Sequence, residues 1–285
     1  MSFIESMATM MTPTQVRVIT GLALSVLGLC VIFLFPTWAF VGFTALLTLG
    51  VGYEWFRLSC PCNITRWLAL GMVALFGAGL YLLLPSSQIA GLALLATLGW
   101  VVLMFGLWQR RQVAGVTRSA GLRTVLGLFI LPAFWFALVQ IRALEQGAWL
   151  LLFGILIVAV ADSLAYFVGR ALGRHKLAPA LSPGKTLEGL VGGLVGVGIL
   201  AAIGVVLPLF SGVPSWELAL WSMLVALFSV AGDLEESRLK REAGVKDSGQ
   251  LLPGHGGLLD RLDGQLAAMP IWLLALAQMH LLIAG

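Results

Sequence analysis

Between Asp233 and Asp263 the chain gathers seven of its 13 acidic residues and interleaves five basic ones with them. Read as a helix, Asp233, Glu236, Ser237 and Lys240 fall at i, i+3, i+4 and i+7, so one face carries two carboxylates, a hydroxyl and an ammonium. Further on, Pro253-Gly254-His255-Gly256-Gly257 is a glycine-rich turn followed by Asp260, Arg261 and Asp263, with Asp260 and Asp263 one helical turn apart. Glycines let backbone amides approach phosphate oxygens closely, and hard carboxylate oxygens suit magnesium. The chemistry that fits is transfer at phosphorus, which depends chiefly on alignment and charge neutralisation. A phosphate oxygen is already a nucleophile at neutral pH, so His255 is either a general base or a polar turn residue, with a positioning role preferred. Charge runs are commonly solvated loops; the glycines and the helical spacing argue otherwise here.

Two further groups belong with these. Asp162 lies inside an otherwise apolar run, and a carboxylate at membrane depth normally faces a bundle interior, a partner or a water-filled cavity. Just beyond it Arg170, Arg174, His175 and Lys176 supply cations. Ser182-Pro183-Gly184-Lys185-Thr186, then Glu188, has the parts of a phosphate-gripping loop at a helix N-terminus without the spacing of a P-loop, and a simple capped helix start is an equal alternative. The glycines at 189, 192, 193 and 196 read as a small-residue stripe for helix packing.

The elements that must position these residues are membrane spans. The 285 residues are 60% hydrophobic and 11% charged, against roughly 25% charged in a soluble domain. Apolar runs recur at 16–35, 38–52, 67–84, 89–108, 122–139, 149–168, 187–210, 216–231 and 266–283, the second and eighth being short. Most are about 18 to 20 residues, enough to cross a hydrocarbon core of roughly 30 Å. The first is too long for a signal sequence and lacks a cleavage site. With the N-terminus in the cytoplasm and nine alternating spans, 16 of the 17 Lys and Arg residues fall on the cytoplasmic side and only Arg142 falls outside. The expected fold class is therefore an all-α polytopic membrane protein of about nine transmembrane helices. It divides into an N-terminal region, 1–146, of five helices, and a C-terminal catalytic region, 147–285, of four. Spans of the first region hold almost no ionisable residues, and the basic loop at 110–123 is either a positive-inside anchor or a headgroup collar. The formal charge of +4 reflects topology and anionic ligands and makes no case for nucleic acid. Three cysteines, Cys30, Cys60 and Cys62, have neither the count nor the spacing of a disulfide framework or a zinc site.

The stretch from Ser237 to Asp263 resembles the signature of the phosphatidate cytidylyltransferase (CDP-diacylglycerol synthase) family of bacterial type, through Ser237, Lys240, Arg241, Lys246, Asp247, Pro253, His255, Gly256, Gly257, Asp260, Arg261 and Asp263. The 162–170 and 182–188 blocks also look like family blocks, whereas the N-terminal half is similar only in length and hydropathy. The resemblance implies metal-dependent attack of a phosphatidate oxygen on the α-phosphorus of CTP, giving CDP-diacylglycerol and pyrophosphate at the cytoplasmic face of the inner membrane. It implies Mg2+, or Mn2+, held by Asp233 and Asp260, with a second, monovalent cation such as K+ conceivable. It assigns catalysis to Asp233, Asp260, Asp263, Lys240, Arg261 and His255. Substrate binding falls to Asp162, Ser182, Lys185, Thr186, Glu188, Glu236, Ser237, Arg241, Lys246, Asp247, Gly256 and Gly257. Its partners are CTP, phosphatidic acid, membrane lipids and a second copy in a homodimer. A CTP-dependent polyprenol kinase stays open as an alternative. A transporter would place its polar residues near the midplane, and a CDP-alcohol phosphotransferase would carry an Asp-Gly-x-x-Ala-Arg run that is absent.

Overall fold

A chain in lipid must satisfy its backbone internally, so each long apolar run closes into a helix. The computed structural model describes residues 13–60, 62–110, 118–249, 251 and 256–281. Among them nine helices occupy the nine expected positions: α1 Pro13–Leu34, α2 Thr37–Ser59, α3 Asn63–Leu83, α4 Ile89–Arg110, α5 Ala120–Ala143, α6 Gly147–Leu172, α7 Leu187–Gly204, α8 Ser215–Glu242 and α9 Leu259–Gln278. Seven of them, α2 to α8, are long and apolar enough to cross a membrane; in α1 only the shorter stretch Val18–Leu34 is that apolar. Large side chains such as Trp38, Leu83 and Val102 are exposed, as on a surface solvated by lipid tails. The protein is a multi-pass membrane protein.

The second and eighth helices are longer than their apolar runs. Helix α2 continues through Glu54 and Arg57 to Ser59, and α8 continues past Ala231 to Glu242. Both extensions are polar yet partnered. In α8, Arg238 Nε lies 2.7 Å from Glu242 Oε1 and Lys240 Nζ 2.6 Å from Glu236 Oε2, each one turn away.

Helix α9 is the axis of the bundle. Every residue from Leu266 to Leu276 is buried, and α8, α4, α5, α6 and α2 pack around it. The Trp272 indole donates to the Leu150 carbonyl at 2.9 Å and stacks on Phe153, whose ring centroid is 5.7 Å away. Membrane helices gain little from the hydrophobic effect and depend on such close packing and hydrogen bonds.

Two helix crossings set up the polar end. At the α6–α7 crossing a Cβ on Gly189 would lie 2.6 Å from the Ala165 carbonyl and one on Gly193 2.7 Å from that of Ala161, so the small-residue stripe is a close-packing surface as expected. At the α8–α9 crossing Gly232 abuts the Asp263 carbonyl and Gly264 faces Ser229. The first crossing brings the start of α7 beside Asp162, and the second brings Asp233 beside Asp263.

Between α6 and α7 the chain forms an antiparallel hairpin, β1 Lys176–Ala178 and β2 Ser182–Thr186, with Lys176 opposite Thr186 and Ala178 opposite Ser182. The basic 110–123 loop, as far as it is described, turns inward. Arg118 pairs with Glu235, and Arg123 Nη1 lies 3.9 Å from Glu242 Oε2. Arg142, the one cation expected outside, donates from Nε to the Ile32 carbonyl at 2.9 Å and caps the end of α1.

Candidate active site

The polar ends of α6, α8 and α9 and the β-hairpin enclose a cavity of about 660 Å3. Four carboxylates line it, Asp162 from α6, Asp233 from α8, and Asp260 and Asp263 from α9, together with three cations, Arg170, Lys176 and Lys185. Ser182 and Thr186 complete the hairpin wall. Carboxylates alone would repel a polyphosphate, and cations alone would need no metal. The mixed lining suits a phosphate that meets the cations directly and the carboxylates through a divalent ion.

Lys185 Nζ lies 2.5 Å from Asp233 Oδ2, and the Ser237 hydroxyl donates to Asp233 Oδ1 at 3.3 Å. Glu236, one turn along α8, is 1% exposed, and its neighbour Lys240 bridges it to Asp260, 2.6 Å from Glu236 Oε2 and 2.7 Å from Asp260 Oδ1. A buried carboxylate needs such partners, since desolvating an unpaired charge costs far more than one hydrogen bond returns. The second oxygen of Asp260 accepts from the backbone N–H groups of Ser248 at 3.0 Å and Gly257 at 2.8 Å. Gly256, at φ 83°, makes the turn that aims the Gly257 amide there, a backbone shape that side chains resist.

Oxygens of Asp233, Glu236 and Asp263 all lie within 4.8 Å of one another. Two ligands on opposite sides of one magnesium stand about 4.2 Å apart, from its bond length of about 2.1 Å. The triad fits a divalent cation after a small contraction. Of the expected pair Asp233 and Asp260, only Asp233 belongs to this group, with Glu236 and Asp263; both Asp260 oxygens already accept hydrogen bonds.

The other expected residues divide by position. Thr186 caps α7, its hydroxyl accepting from the Gly189 amide at 3.1 Å, so the helix-start interpretation of this segment holds while Lys185 beside it reaches the cavity. Glu188 turns away to the hairpin stem, accepting from the Arg174 amide at 3.0 Å and lying 2.6 Å from His175 Nδ1. Arg241, Lys246, Asp247 and Arg261 are exposed and do not line the cavity. His255 lies outside the described residues.

Tyr166 on the cavity, and Glu54 and Arg57 outside its lining, were not singled out from sequence. Tyr166 lies one turn along α6 from Asp162 and its hydroxyl accepts from Arg170 Nη1 at 3.2 Å. The spacing 162, 166, 170 was the available signal, one helical stripe leading from the buried carboxylate. Glu54 and Arg57 of α2 carried no such signal, although both hold Ser248.

Fold and cavity together define a polytopic membrane protein with an acidic and basic site for handling phosphate at one end of its bundle. The chain belongs to the cytidylyltransferase family, whose model matches residues 15–279. It is 37% identical over 259 residues to the phosphatidate cytidylyltransferase of Pseudomonas aeruginosa, covering 90% of this chain and 94% of that one. Its identity to the phosphatidate cytidylyltransferase of Haemophilus influenzae is 34% over 277 residues, with 90% and 96% covered. With that of Brucella abortus it is 36% over 267 residues, with 90% and 91% covered.

Proposed function

We propose that this protein is a phosphatidate cytidylyltransferase, which joins CTP to phosphatidic acid and releases pyrophosphate. The observation that carries it is the cavity itself, lined by carboxylates of three helices and by three cations, inside a chain of the cytidylyltransferase family. An oxygen of the lipid phosphate forms a bond to the α-phosphorus of CTP while the bond from that phosphorus to the β-bridging oxygen breaks. No proton needs removal from the nucleophile, so no side chain acts as general base.

Lys185, Arg170 and Lys176 bind the phosphates and offset charge on the departing pyrophosphate. Asp233, Glu236 and Asp263, with Asp260 adjoining, would hold Mg2+ or Mn2+. Such an ion supplies charge neutralisation at the phosphates and orients them. Lys240 keeps Glu236 and Asp260 at a fixed separation, and Ser237 restrains Asp233. We place the cavity at the cytoplasmic face of the inner membrane, where CTP is available, and expect a homodimer.

Purified protein given phosphatidic acid, magnesium and CTP labelled with 32P at either the α or the γ position tests this proposal. Chloroform-soluble label from α-labelled CTP alone, identified as CDP-diacylglycerol, is expected. Lipid labelled from the γ position would instead mean a kinase and would overturn the proposal, as would the absence of lipid label from either.

A further inference from the structure

We infer that Glu54, in the first half of the chain, is a positioning residue for transfer: it sets the start of α9 and thereby the placement of Asp260 and Asp263. This inference rests on the cytidylyltransferase reading of the cavity.

Glu54 stands near the end of α2 with 1% exposure, and it does not line the cavity. Its Oε2 accepts from the Ser248 hydroxyl at 2.9 Å and from the Leu259 amide at 2.8 Å. Leu259 is the first residue of α9, where N–H groups lack intrahelical partners, and the preceding Leu258 offers no side-chain cap. Glu54 therefore caps α9 from another helix, with its carboxylate at the positive end of the helix dipole.

The same connection runs through Ser248. Arg57, one turn along α2, donates to the Ser248 carbonyl, and the Ser248 amide donates to Asp260 Oδ2. Hydroxyl, carbonyl and amide of this one residue tie α2 to the carboxylate that Lys240 holds from α8. Gly249 and Gly257 press against the Glu54 carboxylate so closely that neither has room for a Cβ. The fit leaves α9 little freedom to slide or rotate at its start, and a displacement of about 1 Å among reacting groups can cost on the order of a hundredfold in rate.

The test compares full-length wild type, Glu54→Leu, Glu54→Gln and Ser248→Ala in detergent. Leucine removes both accepted bonds; glutamine keeps an oxygen able to accept them. Glu54→Leu should lower kcat at least about tenfold with KM for CTP within about threefold, because the residue touches no substrate. Hydrogen exchange over 256–264, measured without substrate or metal, should speed up in the same variant. Glu54→Gln should restore both readouts most of the way. If Glu54→Leu yields no folded protein, Ser248→Ala decides, with lowered kcat and faster exchange expected. Wild-type kcat in the deciding variant, or lower thermal stability with unchanged turnover per folded molecule, overturns the inference while leaving the function intact. Wild type that makes no CDP-diacylglycerol overturns the function and the inference with it.

Discussion

Lys185 of the hairpin and Asp233 of α8 meet across the cavity, Nζ to Oδ2, at 2.5 Å. The contact joins the hairpin to α8. Both side chains keep partial exposure, 22% and 30%, so the pair can part to admit a ligand between its members. Lys185→Ala should therefore weaken phosphate binding by the worth of a charged hydrogen bond, about 1.5 to 3 kcal/mol, or roughly 10- to 150-fold in kcat/KM for CTP. Steady-state kinetics well below saturation checks it.

Asp260 differs from Asp233 in how it is held, and its substitution should have two effects. Asp260→Asn replaces an oxygen that accepts from Lys240 or from two backbone amides, so it should lower thermal stability as well as activity. Removing one partner of a half-buried charged bond costs on the order of 1 to 3 kcal/mol. Ser248→Ala, which leaves Asp260 unchanged, should show the smaller stability loss of the two in a detergent melting experiment.

The Arg118–Glu235 pair, 9% and 3% exposed, does not line the cavity and should matter for stability. Glu235→Ala strands a buried guanidinium, and breaking a buried pair typically costs about 3 to 5 kcal/mol. The double change Arg118→Met with Glu235→Leu, which strands nothing, should recover a large part of that loss. Melting temperatures of the single and double variants decide it.

These pairs also show what could be read without a structure. Asp162, Lys185, Asp233, Asp260 and Asp263 were legible because an ionisable residue among apolar runs, or a carboxylate at helical spacing, must be explained chemically. Glu54, Arg57, Arg118 and Arg123 were not. Each lies near the end of a span, where a charge is ordinary under the positive-inside rule, and its partner lies in a distant part of the chain. The extension of α8 to Glu242 escaped hydropathy for a related reason: its polar residues are stabilised by pairs at i and i+4, which an apolar run does not record. The hairpin was hidden in Ser182-Pro183-Gly184, a triplet equally at home in a loop before a helix.

The expected orientation has its own test. In a background without Cys30, Cys60 and Cys62, a cysteine at exposed Val206, between α7 and α8, should react with an impermeant thiol reagent from the periplasm. A cysteine at exposed Lys246, between α8 and α9, should react only after permeabilisation. Labelling of position 246 in intact cells would put the cavity on the side without CTP.

If Asp233 and its neighbouring carboxylates hold the ion on which transfer depends, magnesium titration of Asp233→Asn beside wild type will reveal it. Asparagine keeps the size of the side chain and one oxygen but removes the charge that offsets a divalent cation. The variant should fold, its transfer should fall on the order of 10^2 to 10^3-fold, and its remaining activity should need more magnesium for half-maximal rate. Wild-type turnover at limiting magnesium in that variant would contradict it.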